Sequence, residues 1–172
     1  MNDIEAARPR EQWFAAYTRP RHEKRVAAQL EERQIASFLP TYKTARRWKD
    51  RKKLLELPLF PSYLFVQMNS DNRLELLRLP GVVSLVSFQG QPVPVANMEI
   101  DNLRQGLAGR IAARPHPFLK TGRKVRIRSG SLAGVEGFFV RKRDTARIVL
   151  SVSILQRSVA VEIDESDIEP LS

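Results

Sequence analysis

The sequence has no cysteine and only two histidines, His22 and His116. Those shortages exclude a disulfide framework, a thiolate metal site and a His-rich zinc or catalytic centre. No apolar run approaches the ~18 residues that a membrane span needs. The opening stretch MNDIEAARPRE has no apolar core, so it reads as a loose polar lead and not as a signal peptide. Acidic residues are outnumbered: 19 Asp and Glu face 29 Lys and Arg, a net charge of +10. Clustered carboxylates of the kind that hold catalytic metal are missing, as is a GxxxxGK phosphate loop followed by Ser or Thr. The expectation is a cytoplasmic non-enzyme without cofactor or membrane contact, whose partner is a polyanion or an acidic protein surface.

What the sequence does have is Leu57 to Met68, LPLFPSYLFVQM. A β-prone run bounded by prolines reads as a buried strand, since proline is tolerated only where a ladder donor can be missing. Alternation puts Tyr63 and Phe65 on one face, Leu64 and Val66 on the other. One face can pack on helices; the other presents aromatics elsewhere.

Around this strand the chain reads β-α-β-β-α-β-α. A strand at Trp13–Thr18 leads into a helix to about Gln34, with Thr18 as its cap and Pro20 in its first turn. Strand Phe38–Lys43 leads to the basic stretch TARRWKDRKK, where Lys43 to Lys53 holds seven basic residues and one acid, Asp50. This is either a solvated hairpin tip or a contact for nucleic-acid phosphates, with Trp48 free to stack on a base. A short helix (Arg73–Arg78, capped by Ser70 or Asp71), a strand (Val82–Phe88) and a helix from Asn97 with Ile100, Leu103 and Leu107 on one stripe complete an α+β sandwich with an antiparallel sheet, over residues 12–108. Residues 109–118, with two prolines and a glycine, read as a linker. Residues 119–172 alternate in short β-prone runs (KVRIR, IVLSVSI, VAVEI) with glycines at turns, which reads as a small β-barrel.

Several motifs carry a family resemblance: WFAAYTRPRHEKRVAAQLEERQI, FLPTYK, LPLFPSYLFVQM and LPGVVSLV, then TGRKVRIRSGSLAGVEGFF and VLSVSILQRSVAVEI. Over roughly residues 12–171 the chain resembles NusG-type transcription elongation factors, with its first half most similar to the specialised RfaH and UpxY branches. The resemblance implies an N-terminal NGN domain joined to a C-terminal SH3-like KOW barrel. It implies a monomeric antitermination regulator that binds the clamp helices of RNA polymerase through an apolar depression. Tyr17, Phe60, Tyr63 and Phe65 match that depression; a plain core role is the alternative for Phe60, Tyr63 and Phe65. The basic entry to the first helix (Arg19, Arg21, His22, Arg25, Gln29) matches a surface that reads the non-template DNA strand. Arg47, Trp48, Lys49, Arg51, Lys52 and Lys53 are a second candidate nucleic-acid contact. In the barrel, the loops Ser129–Gly134 and Ile154–Ser158, through Leu132, Ile154, Leu155 and Arg157, match the surface that meets Rho or a small-subunit ribosomal protein. Leu155 stands where the family has a phenylalanine. A non-catalytic RNA-binding or ribosome-associated KOW protein is the alternative function.

Two further expectations follow from the residues. The second module is a permanent barrel and no helical hairpin, because β-branched positions alternate with period two there. The aromatic depression of the first module stays open, or is at most loosely brushed by the linker.

Overall fold

The computed structural model describes residues 11–108, 112–119 and 122–171. In chain order the first module runs β1 (Gln12–Thr18), α1 (Glu23–Glu32), β2 (Ser37–Phe38), β3 (Thr41–Trp48), β4 (Arg51–Pro58), β5 (Tyr63–Met68), α2 (Arg73–Leu77), β6 (Val82–Leu85), β7 (Ser87–Phe88), β8 (Gln91–Pro92), β9 (Pro94–Val95) and α3 (Asn97–Ala108). The second runs β10 (Ala113–His116), β11 (Lys124–Ile127), β12 (Glu136–Lys142), β13 (Thr145–Val152), β14 (Arg157–Glu162) and β15 (Ile168–Pro170).

Strands β1 and β5 pair antiparallel from Gln12↔Met68 to Tyr17↔Tyr63, so alternation sorts both at once. Phe14, Ala16, Leu64, Val66 and Met68 turn to one face and bury against Val26 and Leu30 of α1, Leu76 of α2 and Leu79. Trp13, Ala15 and Phe65 turn to the other face and bury with Phe60, Val95, Ile100 and Leu103, the last two from α3. The sheet is completed by β2 beside β5, with β6 and β9 beside β1. Strands β3 and β4 leave it and form a ribbon of their own.

Three local readings need correction. Thr18 does not cap α1: it ends β1, its hydroxyl is buried without a partner among the described residues, and His22 takes the cap position without a side-chain bond. The stretch Leu57–Met68 is no single strand, because Pro61 sits in a turn where Ser62 has φ 67°, between β4 and β5. The helix after β5 is entered through Asn69, whose side chain accepts from the Asp71 amide, and not through Ser70 or Asp71.

Of the expected linker, 109–111 lie outside the described residues, and 113–116 form β10, an edge strand on β14. Beyond it the Leu119 amide donates to the Ser158 hydroxyl (3.1 Å), Ser151 Oγ donates to the Leu119 carbonyl (2.7 Å), and the two serine hydroxyls pair at 2.7 Å. Buried Ser158 therefore has a function: it pins the incoming chain to the barrel. The barrel sheet has the order β10-β14-β13-β12-β11-β15. Residues 145–152 and 157–162 are strands, as their alternation dictates.

Two glycines separate close approach from mere proximity. A Cβ on Gly137 of β12 would stand 2.6 Å from the Val149 carbonyl oxygen, a backbone atom that cannot swing aside. On Gly106 of α3 it would crowd the Leu150 methyl end, at 2.7 Å, with Val161 Cγ2 at an ordinary contact of 3.7 Å. Gly137→Ala should cost about 1–3 kcal/mol by overpacking, measured by urea unfolding. Gly106→Ala should be near neutral, since about 1 kcal/mol of helix propensity offsets a side-chain shift. Equal midpoints for the two variants would contradict this packing.

Candidate functional site

The aromatics expected to form an open depression are sealed. Phe65 is 0% exposed and Phe60 1%, in edge contact at a ring-centroid distance of 6.0 Å, with Phe38 stacked on Phe65 at 6.1 Å. Only Tyr17, at 36% exposure, and half-buried Tyr63 reach the surface, as a pair with centroids 5.2 Å apart. The expectation that this face stays open is overturned by what lies against it. Helix α3 covers it first, with the Arg104 guanidinium 4.6 Å from the Trp13 centroid and 5.3 Å from that of Phe38. Beyond α3 the barrel continues the same apolar cluster through Val125, Ile148, Leu150 and Val161.

The seam between the modules is polar and specific. Asn102 donates to the Glu136 carbonyl (3.2 Å) and accepts from the Glu136 amide (3.4 Å). Gln105 donates to the Ala133 carbonyl (2.6 Å), and the Glu99 carboxylate accepts from the Ser153 amide (3.1 Å). Arg157 lies over Tyr63, its guanidinium 5.7 Å from the ring centroid. These seam residues of α3 were missed in the sequence. The available signal was the row Glu99, Asn102, Gln105 at three-residue spacing, which puts hydrogen-bonding side chains on one helix face, beside Gly106 in the last turn.

Both barrel loops expected to meet partners turn toward the first module. Ile154 and Leu155 are half-buried and pack on the shared cluster. Leu132 is 4% exposed and belongs to the barrel core, so its assignment to a partner surface is corrected: the turn that carries it tucks its side chain inward. Arg157 remains exposed.

The basic entry to α1 stands on three laced turns. Arg19-Pro20-Arg21, Phe60-Pro61-Ser62 and Leu79-Pro80-Gly81 each place the residue after proline at positive φ, 66°, 67° and 102°. Each closes with the next residue's amide on the carbonyl before the proline: His22 to Arg19, Tyr63 to Phe60, Val82 to Leu79. Proline followed by a left-handed residue is the type II pattern. The turns are tied together by Thr18 N to Ser62 O and Arg19 N to Gly81 O, both 2.8 Å, and by the Ser62 amide to the buried Glu23 carboxylate, 2.7 Å. On this base Arg19, Arg21 and Arg25 stand exposed. His22 is half-buried, its Nδ1 3.1 Å from the Pro20 carbonyl. Gln29 is committed to structure, donating to the Arg25 and Pro80 carbonyls.

The second basic group lies on the β3–β4 ribbon. At its root, Thr41 Oγ1 donates to Glu56 (2.6 Å), and this bond, with the nearby Lys24 and Lys43 charges, holds the Glu56 carboxyl below its usual range. At its far end Arg46, Arg47, Lys49, Arg51, Lys52 and Lys53 are exposed, and Trp48 is 70% exposed. The two candidate aromatic groups therefore separate by burial. Phe65→Ala should cost about 3–5 kcal/mol, as expected for a buried ring. Trp48→Ala should stay within about 0.5 kcal/mol, as for a free surface residue. Urea titration of both variants checks this; similar losses would contradict the assignment.

Comparison with known proteins supplies the lineage. A family model described as "Transcription termination factor nusG" matches residues 11–104. The transcription termination/antitermination protein NusG of Helicobacter pylori is 29% identical over 129 residues, 72% of each chain. That of Thermus thermophilus is 27% identical, covering 91% of this chain and 97% of its own, and that of Escherichia coli is 26% identical, covering 94% and 97%. A solved structure described as "Domain interaction in Thermotoga maritima NusG" shares the fold with a TM-score of 0.55 at 23% identity, covering 94% of this chain and 98% of that one. No helix among the described residues is long and apolar enough to cross a membrane. With the two-module α+β architecture and the match over more than half its length, the chain belongs to the NusG family of transcription termination and antitermination proteins.

Proposed function

We propose that this protein regulates transcription elongation by binding RNA polymerase through the odd-numbered face of β1 and β5, and that the KOW barrel couples the bound polymerase to a further factor. The observation that carries the reading is the shared aromatic face. Trp13 and Phe65 lie beneath α3 of their own module, and the Tyr17–Tyr63 pair stands at the margin of that face, where the second module closes over it with Arg157 above Tyr63 and a polar seam alongside. The clamp helices of the polymerase's largest subunit are the proposed occupant once the barrel has left. Tyr17 and Tyr63 make the first contact, because they alone of the four candidates reach the surface beforehand.

Closure masks both interaction surfaces together. The Ile154–Arg157 loop, the proposed contact for Rho or a small-subunit ribosomal protein, lies against the face proposed for polymerase. One opening step then releases both. Arg19, Arg21 and Arg25 remain exposed in the closed arrangement and are the proposed contacts to the non-template strand. We place the chain near the specialised RfaH and UpxY branches on its first-module motifs; its barrel is β-stranded while docked.

Two measurements test this reading. Glu99→Ala, Asn102→Ala and Gln105→Ala together remove seam bonds worth about 0.5–1.5 kcal/mol each. The triple variant should be retained by immobilised RNA polymerase core at least severalfold more than the parent protein. Unchanged retention would mean that closure and polymerase do not compete. Second, Arg19→Gln, Arg21→Gln and Arg25→Gln together should flatten the salt dependence of recruitment by up to about 2–3 in log-log slope, as expected when phosphate contacts are lost. An unchanged slope would return these arginines to a solvated surface.

A further inference from the structure

The β3–β4 ribbon sets cations directly opposite cations, an arrangement that costs stability unless an anion lies beside them. In an antiparallel pair, directly opposed residues share a face, and like charges so placed repel. Here Arg46 stands opposite Lys53, and Arg47 opposite Lys52, two cation–cation pairs in consecutive positions. Consecutive positions point to opposite faces. Arg46 and Lys53 therefore occupy one face, and Arg47 and Lys52 the other. Trp48 and Arg51, opposed at the end of the ladder, extend the first face. All these residues are exposed, and the ion pairs found among the described residues include none of them. Among the described residues no third strand pairs with either edge of the ribbon.

Charge on both faces discriminates between nucleic-acid forms. A single strand lying on the ribbon offers phosphates to one face and leaves the other pair of cations opposed and unscreened. A groove of a duplex has a phosphate wall on each side. The major groove of B-form DNA, about 12 Å wide and 8.5 Å deep, admits a two-stranded ribbon. Residues 45–54, about four to five residues along each strand at ~3.4 Å per residue, give a projecting length of roughly 14–17 Å, enough to fill that depth. We propose that the β3–β4 ribbon enters a groove of double-stranded nucleic acid, with Arg46 and Lys53 on one phosphate wall and Arg47 and Lys52 on the other, and with Trp48 toward the base edges. The proposal rests on the reading that the basic ribbon contacts nucleic acid and names the form it takes.

The test is anisotropy titration of the full-length protein against a fluorescent 20-base-pair DNA duplex and against each of its separated strands, over a range of salt. Arg46→Gln with Lys53→Gln removes one face, and Arg47→Gln with Lys52→Gln the other. Each neutral pair should lower the duplex log-log salt slope by about 1.8, from a slope of about 0.9 per phosphate contact. The four-residue variant should lower it by the sum, and the exchange Arg46→Lys with Lys53→Arg should leave it unchanged. The parent protein should bind duplex at least about tenfold more tightly than either strand. Circular dichroism and an unchanged urea midpoint establish that the variants fold; removing opposed like charges should, if anything, stabilise the ribbon. Equal or tighter binding to a single strand, or a slope that responds to only one face, overturns groove entry while leaving nucleic-acid contact in place. Binding to every probe that is indifferent to both pairs overturns the underlying reading as well.

Discussion

The central strands β1 and β5 are apolar on both faces, and such a pair needs two covers. The even-numbered face has a permanent one, because α1 and α2 belong to the same module and connect to the sheet through short turns. The odd-numbered face is covered by α3 and, beyond it, by the barrel. Everything distinctive about the molecule follows from the difference between these covers. The first is apolar and built from Val26, Leu30, Leu76 and Leu79. The second is bordered by hydrogen bonds to backbone groups, by Arg104 over Trp13 and by Arg157 over Tyr63. A hydrogen bond that water can replace contributes only about 0.5–1.5 kcal/mol net. In the proposed function the barrel is the cover that lifts, because it belongs to the other module and water can replace its border hydrogen bonds.

The way the chain enters the barrel fixes how far it can lift. With β10 paired to β14 and Leu119 held by Ser151 and Ser158, only residues 109–112 separate the end of α3 from the barrel. From Ala108 to Ala113 there are five Cα steps, which reach at most about 18 Å. The proposed opening of the barrel would therefore run on a short tether for as long as β10 stays paired to β14.

Much of this was legible in the sequence. The alternation of Tyr63 and Phe65 against Leu64 and Val66 correctly sorted the two faces of the sheet, and period two correctly gave strands over 148–152 and 159–162, while Ser153 and Ile154, read as the end of a strand, lie in a 3-10 turn. The basic ribbon and its exposed Trp48 were plain from composition. What was not legible depended on contacts between distant segments. Nothing local to Phe65 says that a helix forty residues away and then a barrel will cover it, so the open depression was the wrong expectation. Leu132 misled for a related reason: a leucine in a Gly- and Ser-rich turn looks like surface until the turn is seen to fold it inward. Thr18 failed as a cap because two further proline turns, at Pro61 and Pro80, lock the backbone that a cap would have needed.

The most direct test of the shared-face account is to fasten the seam. The parent sequence has no cysteine, so Glu99→Cys with Ser153→Cys introduces two thiols and no others, at positions already in contact. A short, reductively cleavable thiol cross-linker then locks the barrel onto α3, and retention on immobilised RNA polymerase core is measured before and after reduction. The account predicts that the locked protein is not retained and that reduction restores retention to the level of the uncross-linked variant. Retention of the locked protein at that same level would contradict it, because polymerase would then be binding while the aromatic face is still covered.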